Sequence, residues 1–193
     1  GTPMKRKLTP ILFFVVAIAV IFIFGSIYRR HQLLYHYRPV TPKVLYRSGI
    51  LSYQGLNKAH ELSYFKTIID LSADSKARDT KNDWYQSELK FSNDKHIQLI
   101  NMFIPPGSIP TPAQISKFLS IMGDKQNYPV LVHCSQGVMR TNTMVAVYEI
   151  AMLKKSNKEV LKHLPMFGHT WKRHEIERHF ILTYRPDEQA NAT

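Results

Sequence analysis

The chain has 193 residues, 44% of them hydrophobic, which is enough for one domain with a core and a short additional segment. Its single cysteine, Cys134, excludes an intramolecular disulfide framework and a metal site built from several cysteines. The formal net charge is +12, which favours anionic partners such as phosphorylated substrates, lipid head groups or nucleic acid.

An uncharged apolar stretch follows a basic flank near the beginning of the sequence. The flank, residues 1–7, contains Lys5, Arg6 and Lys7, and residues 8–28 carry no charged side chain. As a helix, a segment of this length spans about 30 Å, the thickness of a bilayer core. We expect residues 8–28 to be an uncleaved transmembrane anchor. The alternative is a cleaved signal peptide, whose apolar region is usually shorter.

Turn-forming residues divide the rest of the chain into short elements. Residues 29–43 are expected to be a linker, because Pro39 and Pro42 break a helix. Apolar runs of strand length predict strands at 43–49, 66–71, 97–104 and 129–134. Helical spacing predicts helices at 56–65, about 80–90, 113–124, 140–155, 157–166 and 170–184.

The alternation of these strands and helices predicts the fold class. We expect an α/β fold with a central, mostly parallel sheet flanked by helices, preceded by one N-terminal transmembrane helix. A single domain is expected over residues 44–185, followed by a tail over residues 186–193. Removing the three basic residues of the flank from the 26 in the chain leaves 23 against 14 acidic ones, a net charge of +9.

The segment HCSQGVMRT, residues 133–141, lies between a predicted buried strand and a predicted helix. The connection must turn tightly, and Gly137 supplies the backbone freedom that a Cβ would deny. A loop that closes onto a helix N-terminus directs several backbone N–H groups into one concavity, which favours an anion. Arg140 adds a planar guanidinium that matches two phosphate oxygens. The segment therefore predicts a phosphate-binding loop.

The only cysteine of the chain lies within this loop. A helix N-terminus and a nearby arginine lower the pKa of a thiol from about 8.5, so we expect Cys134 to be a thiolate beneath the bound phosphate. This geometry suits in-line attack on phosphorus and a phosphocysteine intermediate. Thr141 is expected to donate its hydroxyl to the sulfur, and His133 to fix the loop backbone. The alternative is an inert core cysteine, but the joint match of His, Cys, Gly, Arg and Thr favours catalysis.

HCSQGVMRT resembles the His-Cys-x5-Arg-Ser/Thr signature of the cysteine-dependent protein tyrosine and dual-specificity phosphatases. The similarity extends through LYRSGILS, TIIDL, YPVLVHC and the helical tail, and it is greatest to the compact bacterial branch, some of whose members are exported or membrane-tethered. It implies a dual-specificity-phosphatase-like fold, catalysis by Cys134, Arg140 and Thr141, and no metal or other cofactor. It also implies that the loop backbone amides hold the substrate phosphate. The implied substrate-binding residues are His133, Ser135, Gln136, Gly137, Val138 and Met139.

The sequence departs from this family in two respects. The family usually carries a general-acid Asp on a loop before the cysteine, but here that loop, residues 101–112, has no acidic residue. General acid catalysis contributes about 10²–10⁴-fold to a rate, so another residue is expected to supply the proton. The candidates are Asp74, Asp79 and Asp94. Asn142 stands where many relatives have Gly, and we expect it to alter only helix packing.

The uncharged residues of the loop favour phosphotyrosine in a protein as the substrate. The apolar anchor and the basic charge favour the alternative of an anionic phospholipid or phosphoinositide, hydrolysed by the same chemistry. The missing acid favours a second alternative, a catalytically weak, phosphate-binding pseudophosphatase. Nothing in the sequence is typical of a nucleic-acid reader.

We expect a single-pass membrane protein, bound to the membrane through its N-terminal helix, with the catalytic domain on the periplasmic side. The segment HEIERH, residues 174–179, resembles a zinc-protease helix only superficially. Its two histidines are five positions apart, whereas that site needs them at i and i+4. We therefore expect this segment to be a solvated basic helix.

Overall fold

The computed structural model describes residues 5–79 and 82–186 of the chain. Its helices are α1 (Lys5–Leu33), α2 (Tyr53–Ser63), α3 (Ser75–Asp79), α4 (Asp83–Lys95), α5 (Pro112–Gly123), α6 (Met139–Ala151), α7 (Asn157–His163) and α8 (Glu175–Thr183). Its strands are β1 (Arg38–Thr41), β2 (Leu45–Ser48), β3 (Thr67–Asp70), β4 (Gln98–Asn101) and β5 (Val130–His133). Two short 3-10 helices lie at Lys125–Asn127 and Trp171–Arg173.

In this part of the chain, the strands form one sheet in the order β1-β2-β5-β3-β4. β1 pairs antiparallel with β2, and the other pairs are parallel, which confirms the predicted α/β class. The register aligns Ser48, His133, Asp70 and Asn101 across the parallel strands. The carboxyl ends of parallel strands meet at one edge of a sheet, where ligands usually bind. The loop after β5 therefore lies between the loops that follow β2 and β3.

Helices cover both faces of the sheet. Val130 and Val132 of β5 face a core that includes α5, α6, α7 and α8. Leu131, between them, faces a second core that includes α2 and α4. All three side chains are completely buried, and each such burial stabilises the fold by about 1.5–3 kcal/mol. A strand buried on both faces has a continuous apolar sequence, which is why β5 could be predicted.

The segment 29–43, predicted as a linker, instead contributes the end of α1 and the whole of β1. The prolines that indicated a linker do not prevent a strand here, because β1 lies at the edge of the sheet. Proline lacks the backbone N–H, and an edge strand leaves one side of its backbone unpaired in any case. Pro39 accordingly sits opposite Tyr46 in the β1–β2 pair.

Two predicted helices differ from the observed ones. The helix predicted at about 80–90 is preceded by the separate short helix α3, and α4 extends beyond it to Lys95; residues 80 and 81 lie outside the described residues. The helix predicted over 170–184 is interrupted at His174, whose φ of −135° and ψ of 51° are not helical. Helix α8 therefore begins only at Glu175.

Helix α1 contains the apolar segment predicted from the sequence. Its window Ile11–Arg29 has a mean hydropathy of 2.8, and none of it is buried against the rest of the described chain. By length and composition it can cross a membrane, and a signal sequence would have the same character. Residues 1–4 of the predicted basic flank and residues 187–193 of the predicted tail lie outside the described residues.

Candidate active site

The phosphate loop connects the end of β5 at His133 to the start of α6 at Met139. Within it, Gly137 has a φ of 65°, in the left-handed region that favours glycine. A Cβ at this position would collide with the backbone carbonyl group of Ser48, at the end of β2. The loop is therefore packed directly against the neighbouring strand, and only glycine fits this contact.

The side chain of Arg140 is fixed by carbonyl groups that follow two other strands. Its Nη1 donates to the carbonyl oxygens of Leu71 and Ile104, both at 3.1 Å. Its Nη2 donates to Ser135 Oγ at 2.9 Å, and that hydroxyl lies 3.2 Å from the hydroxyl of Ser72. These contacts use three of the five guanidinium N–H groups and orient the side chain on the loop, so the remaining donors are positioned for an anion.

The thiol of Cys134 lies in the loop with only 3% of the residue exposed. Burial raises its pKa, but the neighbouring Thr141 hydroxyl, the charge of Arg140 and nearby backbone N–H groups together lower it below the ordinary value. The Thr141 hydroxyl is itself buried and has no hydrogen-bond partner in the described part of the chain. The loop therefore stabilises a thiolate.

His133 lies outside the cavity, in a buried ionic cluster with Asp70 and Glu88. Its Nε2 is 2.7 Å from Glu88 Oε1 and 3.9 Å from Asp70 Oδ1. Burial lowers the pKa of His133, but the charges of the two carboxylates raise it to about 9. Burial raises the pKa of Asp70 to about 6. The three side chains are close enough to hold a metal ion, but the raised pKa favours the protonated imidazole, in which neither ring nitrogen has a free lone pair to bind a metal.

A second buried cation, Arg47 of β2, supports the loop from the other side. Its Nη2 donates to the Gly137 carbonyl at 2.5 Å, and its Nη1 donates to Asn142 Oδ1 at 2.6 Å. Asn142 Nδ2 donates in turn to the carbonyl of Pro165 at 3.1 Å. The expectation that Asn142 alters only helix packing is corrected, because its side chain links β2, α6 and the turn after α7.

A cavity of about 380 Å³ opens at the loop, near the lower end of the range of about 300–1,000 Å³ for ligand pockets. The residues that line it are Pro106, Gly107, Cys134, Ser135, Gln136, Met139, Arg140, His174 and Glu177. Of the predicted substrate-binding residues, the cavity includes Ser135, Gln136 and Met139, and it does not include His133, Gly137 and Val138. The cavity therefore joins the thiol, the guanidinium and the beginning of α8.

Two of the three predicted general acids do not line this cavity. Asp74 accepts a hydrogen bond from the Ala77 N–H at 2.7 Å and so caps helix α3. Asp94 is 2.6 Å from the Lys90 ammonium on α4. The side chain of Asp79 lies outside the described residues. The carboxylates of Asp74 and Asp94 are held by these contacts outside the cavity. Neither is therefore positioned to give a proton to a substrate bound at Cys134.

Two residues of the cavity, His174 and Glu177, are not indicated by the sequence, which predicts a solvated basic helix over residues 174–179. The structure corrects this, since Glu177 is only 3% exposed and its Oε1 lies 3.9 Å from His174 Nδ1. His174 immediately precedes α8, three positions before Glu177, and in a continuous helix such a pair would lie on one face. This spacing was the signal available in the sequence, but it does not show which face is buried.

Comparison with protein families matches residues 39–178 to the family described as DSP-PTPase phosphatase fused to NAD+ kinase. The chain belongs to this family. Two curated relatives are the probable chloroplastic NAD kinase 2 of Oryza sativa subsp. japonica, 31% identical over 102 residues, and NAD kinase 2 of Arabidopsis thaliana, 32% identical over 117 residues. The matches cover 52% and 60% of this chain but only 10% and 11% of those proteins. The similarity thus concerns the phosphatase domain.

Solved structures show the same fold for this phosphatase. TpbA of P. aeruginosa has a TM-score of 0.62 at 16% identity, over 81% of this chain and 89% of its own. The core catalytic domain of the PP-IP phosphatase SIW14 of S. cerevisiae has a TM-score of 0.65 at 21% identity, over 81% and 90%. PTPMT1 has a TM-score of 0.55 at 16% identity, over 81% and 97%. The predicted dual-specificity-phosphatase-like fold is therefore confirmed.

Proposed function

We propose that Cys134 is the nucleophile of this phosphatase, that Arg140 binds the transferred phosphoryl group, and that Thr141 stabilises the thiolate. One observation carries the proposal: the cysteine and the positioned guanidinium border the same cavity, and the buried Thr141 hydroxyl, which lowers the pKa of the thiol, has no hydrogen-bond partner within the described chain. A cysteine that served only core packing would require neither feature.

The reaction proceeds in two displacements at phosphorus. In the first, the Cys134 thiolate attacks in line with the ester oxygen, so that the S–P bond forms as the P–O bond breaks. Backbone N–H groups of residues 135–140 and the Arg140 guanidinium bind the non-bridging oxygens, where the charge resides. In the second, water attacks the phosphocysteine and the S–P bond breaks. The departing thiolate is the species to which Thr141 donates.

Phosphotyrosine in a protein is the substrate that the cavity favours. The loop residues between Cys134 and Arg140 that line the cavity are Ser135, Gln136 and Met139, which are uncharged. A ligand with several phosphates is usually met by additional arginine or lysine side chains. A structure of TpbA, which has the same fold, is a complex with pTyr. These observations support an aryl phosphate ester over a polyphosphorylated head group.

A different observation favours the second candidate, an anionic phospholipid. The segment between α1 and β1 touches the phosphate loop, because His36 Nδ1 lies 2.6 Å from the Gln136 carbonyl oxygen. If the apolar helix α1 is embedded in a bilayer, this contact holds the cavity close to the lipid head groups. SIW14, of the same fold, is described as a PP-IP phosphatase, which supports phosphorylated inositols as ligands of this architecture.

The membrane arrangement belongs to the same proposal. Helix α1 is proposed to be a single-pass anchor, and the phosphatase domain, residues 44–185, to lie on the periplasmic side of a bacterial membrane. The unburied apolar surface of α1 supports the anchor. Resistance to carbonate extraction and digestion of the domain by protease added to spheroplasts are the expected results. Protection of the domain from that protease would place it on the cytoplasmic side.

The first experiment measures phosphate release from an aryl phosphate by the full chain in detergent micelles. Wild-type protein is expected to turn over, and Cys134→Ser is expected to lose activity while keeping its unfolding temperature. Retained turnover in Cys134→Ser would refute the assigned nucleophile. Turnover of phosphotyrosine peptides compared with anionic phospholipid vesicles then separates the two substrate classes. Binding of either ligand without turnover by the wild type would favour a pseudophosphatase.

A further inference from the structure

The beginning of helix α8 places a buried acid on the wall of the phosphate cavity. Glu177 and His174 border the same space as Cys134 and Arg140. Glutamate is rarely this buried unless it is paired, and Glu177 is only 3% exposed. Its 3.9 Å separation from His174 Nδ1 is too long for a hydrogen bond. The contact with His174 therefore does not by itself account for a carboxyl group at this position.

The proposed reaction needs a proton donor, because an alkoxide or phenolate of ordinary basicity is a poor leaving group. The loop after β4 contributes Pro106 and Gly107 to the cavity and carries no carboxylic acid. Asp74 and Asp94 do not line the cavity. Among the described residues that do line it, Glu177 is the only carboxylic acid. The cavity thus holds one group with the chemistry that the loop lacks.

We propose that Glu177 is the general acid of the first displacement and the general base of the second, an inference that rests on the proposed role of Cys134. As the S–P bond forms and the P–O bond breaks, the Glu177 carboxyl gives its proton to the ester oxygen, which leaves as a neutral alcohol or phenol. The Glu177 carboxylate then takes a proton from the water that attacks the phosphocysteine. The S–P bond breaks, inorganic phosphate forms, and the thiolate and the protonated carboxyl are regenerated.

The charges around the cavity suit this sequence of steps. The first displacement requires the protonated carboxyl of Glu177, because only that form can give a proton to the ester oxygen. Once the proton has been transferred, Arg140 faces the phosphoryl group and His174 faces the new carboxylate.

The test compares two aryl phosphates of different leaving group. The phenolate released from phenyl phosphate is as basic as that of tyrosine, with a pKa of about 10, and needs a proton, whereas dinitrophenolate leaves without one. In the full chain, Glu177→Gln is expected to lower kcat/KM for phenyl phosphate about 10²–10⁴-fold and that for dinitrophenyl phosphate far less. Because the base of the second step is also lost, the variant is expected to accumulate phosphocysteine. Dinitrophenol should then appear in a burst equal to the enzyme concentration.

The matched control is Glu175→Gln, on the same turn of α8. Glu175 is exposed and lies 3.6 Å from Arg178, outside the cavity. This variant is expected to match the wild type with both substrates. Glu177→Asp keeps the carboxyl group on a shorter side chain, and its loss with phenyl phosphate is expected to be smaller than that of Glu177→Gln. It also serves as the test variant if thermal unfolding shows that Glu177→Gln does not fold.

The outcomes separate the two proposals. Equal losses with both substrates, or no loss with either, would overturn the role of Glu177 and leave it a structural residue. A leaving-group-dependent loss in His174→Gln, with Glu177→Gln unaffected, would also overturn it by assigning the proton to the imidazole. Failure of the wild type to turn over dinitrophenyl phosphate would instead contradict the proposed role of Cys134, since that substrate needs no acid.

Discussion

Replacement of Gly137 by alanine tests how the phosphate loop packs against the end of β2. Gly137 has a φ of 65°, and the left-handed conformation costs a residue with a Cβ about 1–2 kcal/mol. The new Cβ would also collide with the carbonyl group of Ser48 and the nitrogen of Gly49. These are backbone atoms and cannot move aside by a side-chain rotation. Either the loop or the end of β2 must therefore shift.

The matched control separates the two costs. Gly168 has a φ of 87°, and a Cβ there would meet nothing within 4 Å, so Gly168→Ala carries only the conformational cost. In a chain of this size, 1 kcal/mol lowers Tm by about 2–4 °C, so this control is expected to melt about 2–8 °C below the wild type. Gly137→Ala is expected to melt lower still. A displacement of the loop of about 1 Å would reduce activity about 10²-fold.

Circular dichroism melting curves and kcat/KM for an aryl phosphate, measured on both variants, decide the outcome. Gly168→Ala is expected to keep full activity at a temperature where it is folded, because Gly168 does not line the cavity. If Gly137→Ala melts at the same temperature as Gly168→Ala and retains full activity, the contact between the loop and β2 does not position the catalytic groups, and the reasoning is refuted.

Two further variants test the buried charges around the loop. Arg47→Lys leaves one of the two acceptors of the guanidinium without a donor. The free energy of unfolding, measured in urea, is expected to fall by about 1–3 kcal/mol. The control Arg173→Lys, at an exposed position, should lose almost none. Burial lowers the pKa of His133, but its two carboxylate neighbours raise it from 6.5 to about 9. The ion pair of protonated His133 with these carboxylates therefore stabilises the folded state fully below pH 6.5, and this contribution to the free energy of unfolding is lost as the pH rises through about 9. In Glu88→Gln, the free energy of unfolding is expected to decline less steeply with pH. Both proteins are measured in a Cys134→Ser background to remove the thiol titration, and an unchanged slope would contradict the ion pair.

The sequence predicts four of the five strands in the described chain, including the edge strand β4, and does not predict β1. β3 and β5 lie inside the sheet with helices on both faces, so their apolar runs are continuous and stand out from the flanking loops. β1 is an edge strand of four residues that contains Pro39. Its sequence has no strand signal of its own, because it is extended only through pairing with β2.

The same distinction separates the parts of the candidate site. The phosphate loop is contiguous in sequence, so His133 to Thr141 could be recognised together, with the spacing that the chemistry needs. Arg47, Glu88 and Glu177 are distant in sequence and charged, and charged residues are expected at the surface unless they are paired. Their burial follows from the register of the sheet and from the packing of α4 and α8, which hydropathy does not encode. The resemblance to the phosphatase family points to an aspartate on a loop, and it therefore does not indicate a glutamate on α8.

The direction of β1 determines where α1 lies relative to the cavity. Because β1 is antiparallel to β2, Arg38 at its beginning lies opposite Arg47 near the end of β2. The segment that joins α1 to β1 therefore reaches the same sheet edge as the phosphate loop. There the Gly49 N–H donates to the Tyr35 carbonyl at 2.9 Å, and the ring of His36 stacks on that of Phe167 at a centroid distance of 3.7 Å. A parallel β1 would have begun at the opposite edge and separated α1 from the cavity. The segment that follows α1 is therefore in contact with the phosphate loop, which is the physical reason to test lipid phosphates beside phosphotyrosine.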